Sequence, residues 1–479
     1  MADMRPAIEI PPSPSPLDVA EPTPVHEVFY AELKDPTRCP IAATPEEIIV
    51  RMLAFACGPF FDRYNRYMNN VLRRRRFLDN RTSFLCVCKD WYRIIMAYGG
   101  FWCEYIVHPL KAREPFERWS SRMRSRPLDI WVDLDSCYLR PEPEQDELSV
   151  QDVIGFIKDK APLCSRLTIS ADDDPVFTAV TEALVSVDFP ELTELALLSG
   201  SLSTIPPAVI SNLPAPGAFE KPLRTGASLR ICGFALRWDN PAFFSRLDTL
   251  VLHYLSSGVA PTIDRLFDIL EAAENLSRLS VKSVVAAGPF TRSSNVELKH
   301  LVYVHIAPAK NQTLGPMLAH MVTPSLRHLA VELEAEEDLL MFLTCPTLLA
   351  SVTHLTVDGF WVPEDHIRMF YFLMPNVTSV DLVMSGRNYL LAMTDDARPL
   401  WPPVWPKLEH VYFSDVRFKE IEQVLEKRRA ATRRISLMTL YYTYRDILND
   451  KQKSWVESKV DRLELTSNWR RRWFTCNIW

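Results

Sequence analysis

The sequence predicts an α/β solenoid, with parallel strands inside and helices outside, set behind a small helical domain and a proline-rich tail. Three observations predict it. A hexamer of the form apolar-x-x-apolar-x-apolar recurs at intervals of about 22 to 31 residues after Leu247. Segments with helical apolar spacing lie between its copies. A unit of this size cannot bury its apolar face alone, so it must stack on its neighbours into one continuous core. Such a curved stack is a binding surface more often than a catalyst.

Composition sets the outer bounds. The 479 residues are 47% hydrophobic and 24% charged, enough for a sizeable core. The formal net charge of −6 disfavours nucleic acid, which normally leaves a basic footprint on its partner. With only 13 glycines the chain is poor in phosphate-cradling loops. The ten cysteines are scattered without a C-x-x-C pair, and no apolar run reaches the ~18 residues of a membrane span. The first residues carry no secretory apolar run. A cytoplasmic or nuclear setting with free thiols and no membrane follows as an expectation.

Residues 1–40 read as a disordered tail, because Pro11-Pro12-Ser13-Pro14-Ser15-Pro16 and Pro22-Thr23-Pro24 suit neither helix nor sheet. Ser13, Ser15 and Thr23 each precede a proline and are candidate phosphorylation sites. A helical domain is expected over 41–108. Thr44 can cap, Pro45 suits the first helical position, and Glu47 completes a capping box. Ile48, Met52 and Leu53 then share one stripe. A basic stretch with Arg73 to Arg76 follows, then a second apolar segment from Phe84 to Met96, and Trp102 reads as core.

The solenoid is expected over 109–453. It opens with an amphipathic segment from Phe116 to Arg126, a strand from Pro127 to Leu134, a helix from Val150 to Asp159 and a strand from Cys164 to Ser170. The hexamer appears at Leu192–Leu197, and a degenerate copy ends in Leu229-Arg230-Ile231. It returns at Leu247–Leu252 and Leu276–Val281, then from Leu298, Leu326, Val352, Val377 and Leu408, and more weakly from Thr432. Helices are expected at Thr262–Ala273, Glu336–Leu343 and His366–Leu373. Residues 454–479 depart from the pattern and read as an end cap; their Trp469-Arg470-Arg471-Arg472-Trp473 run is expected to pack with its arginines reaching outward.

Pro45-Glu46-Glu47-Ile48, the apolar helix after it, Val87-Cys88-Lys89-Asp90-Trp91 and Phe101-Trp102 form an ordered series that resembles the F-box. The repeats behind it extend the resemblance to fungal F-box proteins with divergent leucine-rich repeats. The family's leading Leu is replaced by Thr44, and the stretch from Leu53 to Phe84 is longer than its usual link. The resemblance implies docking to a Skp1-like adaptor, and through it to a cullin–RING ubiquitin ligase, by Pro45, Ile48, Leu53, Val87 and Trp91. It implies a substrate-recognition subunit of an SCF-type ligase, itself no enzyme and needing no cofactor. The alternative is an interaction scaffold with no ligase role.

No phosphate-loop, zincin, nucleophile-elbow or dinucleotide motif is present. Cys86, Cys88, Cys103 and His108 fit no common zinc spacing, so no metal is expected. The surface of the repeats does carry a pattern. The position before the second apolar residue faces away from the core. Aligned, it reads Glu194, Thr249, Arg278, His300, His328, His354, Ser379, His410 and Arg434, flanked by Lys299, Arg327, Glu409 and Arg433. A His300–His328–His354 ladder with Arg278, Lys299 and Arg327 is therefore the candidate target-binding face. It suits an acidic or phosphorylated segment, held more tightly at mildly acidic pH.

Overall fold

The computed structural model describes residues 44–45, 47–49, 51–52, 87 and 89–97, then 104–107, 127–134, 148–171, and most of 177–199 and 223–466. The tail, Leu53, the Arg73–Arg76 run, Trp102, the Phe116–Arg126 segment, the cysteines at 86, 88 and 103, and the Trp469–Trp473 run lie outside the described residues.

The chain divides into two units, with Gly99–Trp479 in the second. In the first, the carbonyl of Pro45 accepts from the N–H groups of Ile48 and Ile49, which starts a helix at the expected place. The second apolar segment forms helix α1 (Lys89–Ala97). Ile49, Ile94 and Ile95 are buried, while Pro45, Ile48, Met52, Val87 and Tyr92 are exposed.

The second unit is built on one parallel sheet of 14 strands. Its first seven are β1 (Glu104–Val107), β2 (Leu128–Asp133), β3 (Cys164–Ala171), β4 (Glu194–Ser199), β5 (Ala227–Cys232), β6 (Leu247–His253) and β7 (Arg278–Lys282). A short strand, β8 (Val296–Glu297), pairs outside this sheet with β10 (Met321–Val322). The main sheet continues with β9 (Tyr303–Ala307), β11 (His328–Leu333), β12 (His354–Gly359), β13 (Ser379–Val383), β14 (His410–Ser414), β15 (Leu437–Tyr441) and β16 (Arg462–Thr466). Neighbours follow chain order throughout, as stacked strand–helix units require.

Period-two alternation explains why each strand sits as it does. Leu279, Val304, Leu329, Leu355, Val380, Val411 and Met438 share one register row, and each is at most 1% exposed. Val281, Ile306, Val331, Val357, Leu382, Phe413 and Leu440 form a second buried row. Each such side chain contributes roughly 1.5–3 kcal/mol. Helices between the strands match expectation closely: α2 (Val150–Lys160), α3 (Ile263–Ala272), α4 (Glu336–Leu343) and α5 (Glu364–Phe372). Thr262 caps α3 by accepting from the N–H of Arg265.

Four expectations are corrected. The repeat read from Leu298 is three residues out of phase: the strand is β9, and its hexamer is Leu301-Val302-Tyr303-Val304-His305-Ile306. Leu298 instead donates its N–H to Val322, continuing the β8–β10 pairing. The hexamer read from Thr432 starts instead at Ile435, which places Leu437 in the column and leaves Arg434 exposed before it. The expected cap contains a further repeat, because helix α6 (Asp450–Glu457) leads into β16, which pairs with β15. The sheet also begins at β1, inside the range 41–108 assigned to the helical domain.

Strand ends in the middle of the sheet share a hook. Gly233, Tyr254 and Ser283, each just past a strand, have φ of 75°, 54° and 50°. Their N–H groups donate to the carbonyls of His253, Lys282 and Ala307 on the next strand. The left-handed turn extends each ladder by one bond, at a steric cost that Tyr254 and Ser283 bear and Gly233 does not.

Candidate functional site

The column that faces away from the core reads, in true register, Thr249, Arg278, Tyr303, His328, His354, Ser379, His410 and Leu437. Four of the six expected target-binding residues thus cluster at the start of β7, β11 and β12: Arg278, Arg327, His328 and His354. His300 and Lys299 stand apart on an exposed turn before β9, where Lys299 pairs with Glu297 at 3.5 Å. Tyr303 takes the place expected for His300. Its ring meets that of His328 edge-on at 4.8 Å, and the His328 and His354 rings lie 5.8 Å apart.

These imidazoles are neutral at physiological pH. Burial first, then His354, His305 and Arg278, push His328 down to about 3. Burial and the neighbouring His410 lower His354 as well. The expected tightening of an anionic partner near pH 6 therefore has no source in His328 or His354. They act as neutral hydrogen-bonding groups: His328 Nε2 lies 3.2 Å from Thr356 Oγ1, and His354 Nδ1 lies 2.9 Å from Thr353 Oγ1.

Two columns further along the strands lies a network that the sequence reading missed. His253 Nε2 is 2.8 Å from Ser280 Oγ, which is 2.8 Å from His305 Nδ1. His305 Nε2 is 3.1 Å from Glu332 Oε1, and Lys282 Nζ donates to both Glu332 oxygens at 2.9 and 2.7 Å. Burial would raise the Glu332 pKa, but the bond from His305 and the charge of Lys282 outweigh it and hold it down to about 2. Burial acts against the Lys282 charge too, and Glu332 more than restores it. His253 is kept neutral by burial and then by His305 and Lys282.

This assignment orders the protons. Ionised Glu332 only accepts, so His305 Nε2 carries a hydrogen. With His305 neutral, His253 donates to Ser280 and Ser280 donates to His305. With His305 charged, both donations reverse, and His253 accepts. Every partner is satisfied in either state. The order of Ser280, His305 and Glu332 is that of a nucleophile, base and acid. Ser280 is only 2% exposed, however, and its oxygen is engaged by both imidazoles. The geometry supports a fixed framework rather than an attacking hydroxyl.

Asp358, the Cα partner of Glu332, is pushed up to about 6 by burial and then by the Glu332 charge. The signal for this region was in the sequence: Val304 and Ile306 are β-branched, and the frame they define places His305 on the polar face.

Among the described residues, no group of three or more His, Cys, Asp or Glu side chains is placed to hold a metal ion, and no helix is long and apolar enough to cross a membrane. In the first unit, Pro45, Ile48 and Val87 are exposed and Trp91 is half-buried; Leu53 lies outside the described residues.

No family model matches the chain, and no curated protein matches it. Among solved structures, the TLR13–ssRNA13 complex is similar over 74% of this chain and 44% of that one, with a TM-score of 0.37 and 14% identity. The leucine-rich repeat-containing protein LegL7 from Legionella pneumophila is similar over 75% of this chain and 97% of that one, with a TM-score of 0.37 and 12% identity. The chain thus spans less than half the length of the TLR13 chain.

Proposed function

We propose that this chain is the substrate-recognition subunit of an SCF-type ubiquitin ligase, its first unit docking a Skp1-like adaptor and its strand stack holding a protein target. The supporting observation is the first unit's exposed apolar surface. Ile48 is 43% and Val87 51% exposed, and both occupy positions that match the F-box docking residues. Met52, 53% exposed, shares the helix face of Ile48 four residues on. A small helical unit that buries Ile49, Ile94 and Ile95 yet leaves these side chains in water is suited to a partner.

The receptor would supply proximity and no reacting group. Holding a target beside a ubiquitin carrier raises its local concentration, which is the source of the rate gain. The test is capture of a Skp1-like adaptor by the full chain. Wild type should capture it, and Ile48→Asp with Val87→Asp should lose it while keeping the wild-type thermal melt. A folded wild-type chain that captures no adaptor would overturn the ligase reading and leave an interaction scaffold.

A further inference from the structure

The arginines of the sheet follow a rule with one exception. Four lie within the described strands: Arg166, Arg230, Arg278 and Arg462. Arg166 pairs with Asp129 on the adjacent strand, Arg230 with Glu194 at 3.4 Å, and Arg462 with Glu464 at 2.7 Å. Arg278 pairs with no carboxylate among the described residues. The guanidinium of Arg327, exposed just before β11, donates among the described residues only to its neighbouring carbonyl, Leu326 O, at 3.3 Å, while its backbone N–H donates to Val302 O. The nearby acid, Asp248, is engaged by the hydroxyls of Ser277 and Thr249.

These two arginines sit at the N-terminal ends of strands in the middle of the sheet, on one rim of the stack. Arg278, Tyr303 and His328 are successive Cα partners on β7, β9 and β11, so the backbones of Arg278 and Arg327 lie about 10 Å apart across the intervening strand. On that strand Val302 is 43% exposed, next to the buried Tyr303. His328 and Thr353 add neutral polar groups on the far side. An unmatched pair of planar, fully charged donors around an exposed valine suits a carboxylate- or phosphate-bearing segment with apolar side chains between its charges. Two cations beside a valine, on a chain of net charge −6, favour such a peptide over a nucleic acid strand.

We infer that the rim formed by Arg278, Val302 and Arg327 at the N-terminal ends of β7, β9 and β11 docks an acidic segment of a protein partner. This rests on the target-receptor reading and gives that target its chemistry. The probe is a fluorescein-labelled peptide alternating glutamate with alanine and valine, beside versions carrying phosphoserine or lysine in place of glutamate, and a single-stranded RNA oligomer. The full chain should bind the glutamate or phosphoserine peptide, and the stronger of the two tells carboxylate from phosphate. Arg278→Gln with Arg327→Gln should weaken that binding by about tenfold or more. Arg434→Ala, which removes an exposed arginine paired with Asp461, should not. Failure of both acidic peptides, preference for the lysine peptide or the RNA, or unchanged binding by the double variant would overturn the inference. The double variant should still capture the adaptor, so a lost target site is distinguishable from a lost ligase role.

Discussion

Glu332 shows how much one side chain can hold in place. It accepts from His305 and twice from Lys282, and through His305 it fixes Ser280 and His253. Replacing it by Gln keeps the size but removes the charge that Lys282 answers. Because both partners retain some exposure, the cost is expected at about 1–2 kcal/mol, below that of breaking a fully buried pair. A second variant separates charge from packing. Lys282→Met with Glu332→Leu removes both charges together, so no ion is stranded, and its urea midpoint should recover at least part of the way to wild type. A double variant less stable than Glu332→Gln would show that the network contributes more than the mutual compensation of two ions.

Position in the stack decides what an element's leucine contributes. Leu440 on β15 and Leu465 on β16 are register partners in the same row of the hexamer. Leu440 is 2% exposed between two strands, whereas Leu465, on the last strand of the sheet, is 39% exposed. Leu440→Ala should cost about 2–5 kcal/mol by leaving a cavity, and Leu465→Ala under ~1 kcal/mol, both read from urea unfolding. Equal costs would mean that β16 is covered as fully as β15. The same elements show what the sequence could tell. The frames from Leu326, Val352, Val377 and Leu408 are legible because only one frame puts apolar residues at all three positions. At Leu298, leucines three apart open two frames, and the choice turns on Tyr303 against Val304 and Ile306. Ion pairs such as Lys282–Glu332, joining residues 50 positions apart, leave no local pattern at all.

Across the whole molecule, the imidazoles couple folding to pH in a direction that can be worked out. His253 and His328 are held neutral in the folded chain, His328 down to about 3, while an unfolded histidine titrates near 6.5. Above that value neither state takes the proton, and these groups add no pH dependence. Below it the unfolded chain gains protons that the folded chain refuses, so stability falls, by up to ~1.4 kcal/mol per pH unit for each group. His354 adds a smaller share because it is solvent-exposed. Asp358 works the other way: pushed up to about 6, it takes its proton in the folded state first and offsets part of the loss as pH falls from there. Glu332, held near 2, adds to the loss only once unfolded carboxylates begin to protonate. Two interior histidines against one aspartate leave a net loss. The urea midpoint should stay level from about pH 8 to 7 and drop between about 6.5 and 5. His328→Asn, which keeps a polar group without a titrating one, should flatten that drop. A midpoint that stays level through pH 5, or a variant with the wild-type slope, would show that His328 is as free to take a proton in the sheet as in the unfolded chain.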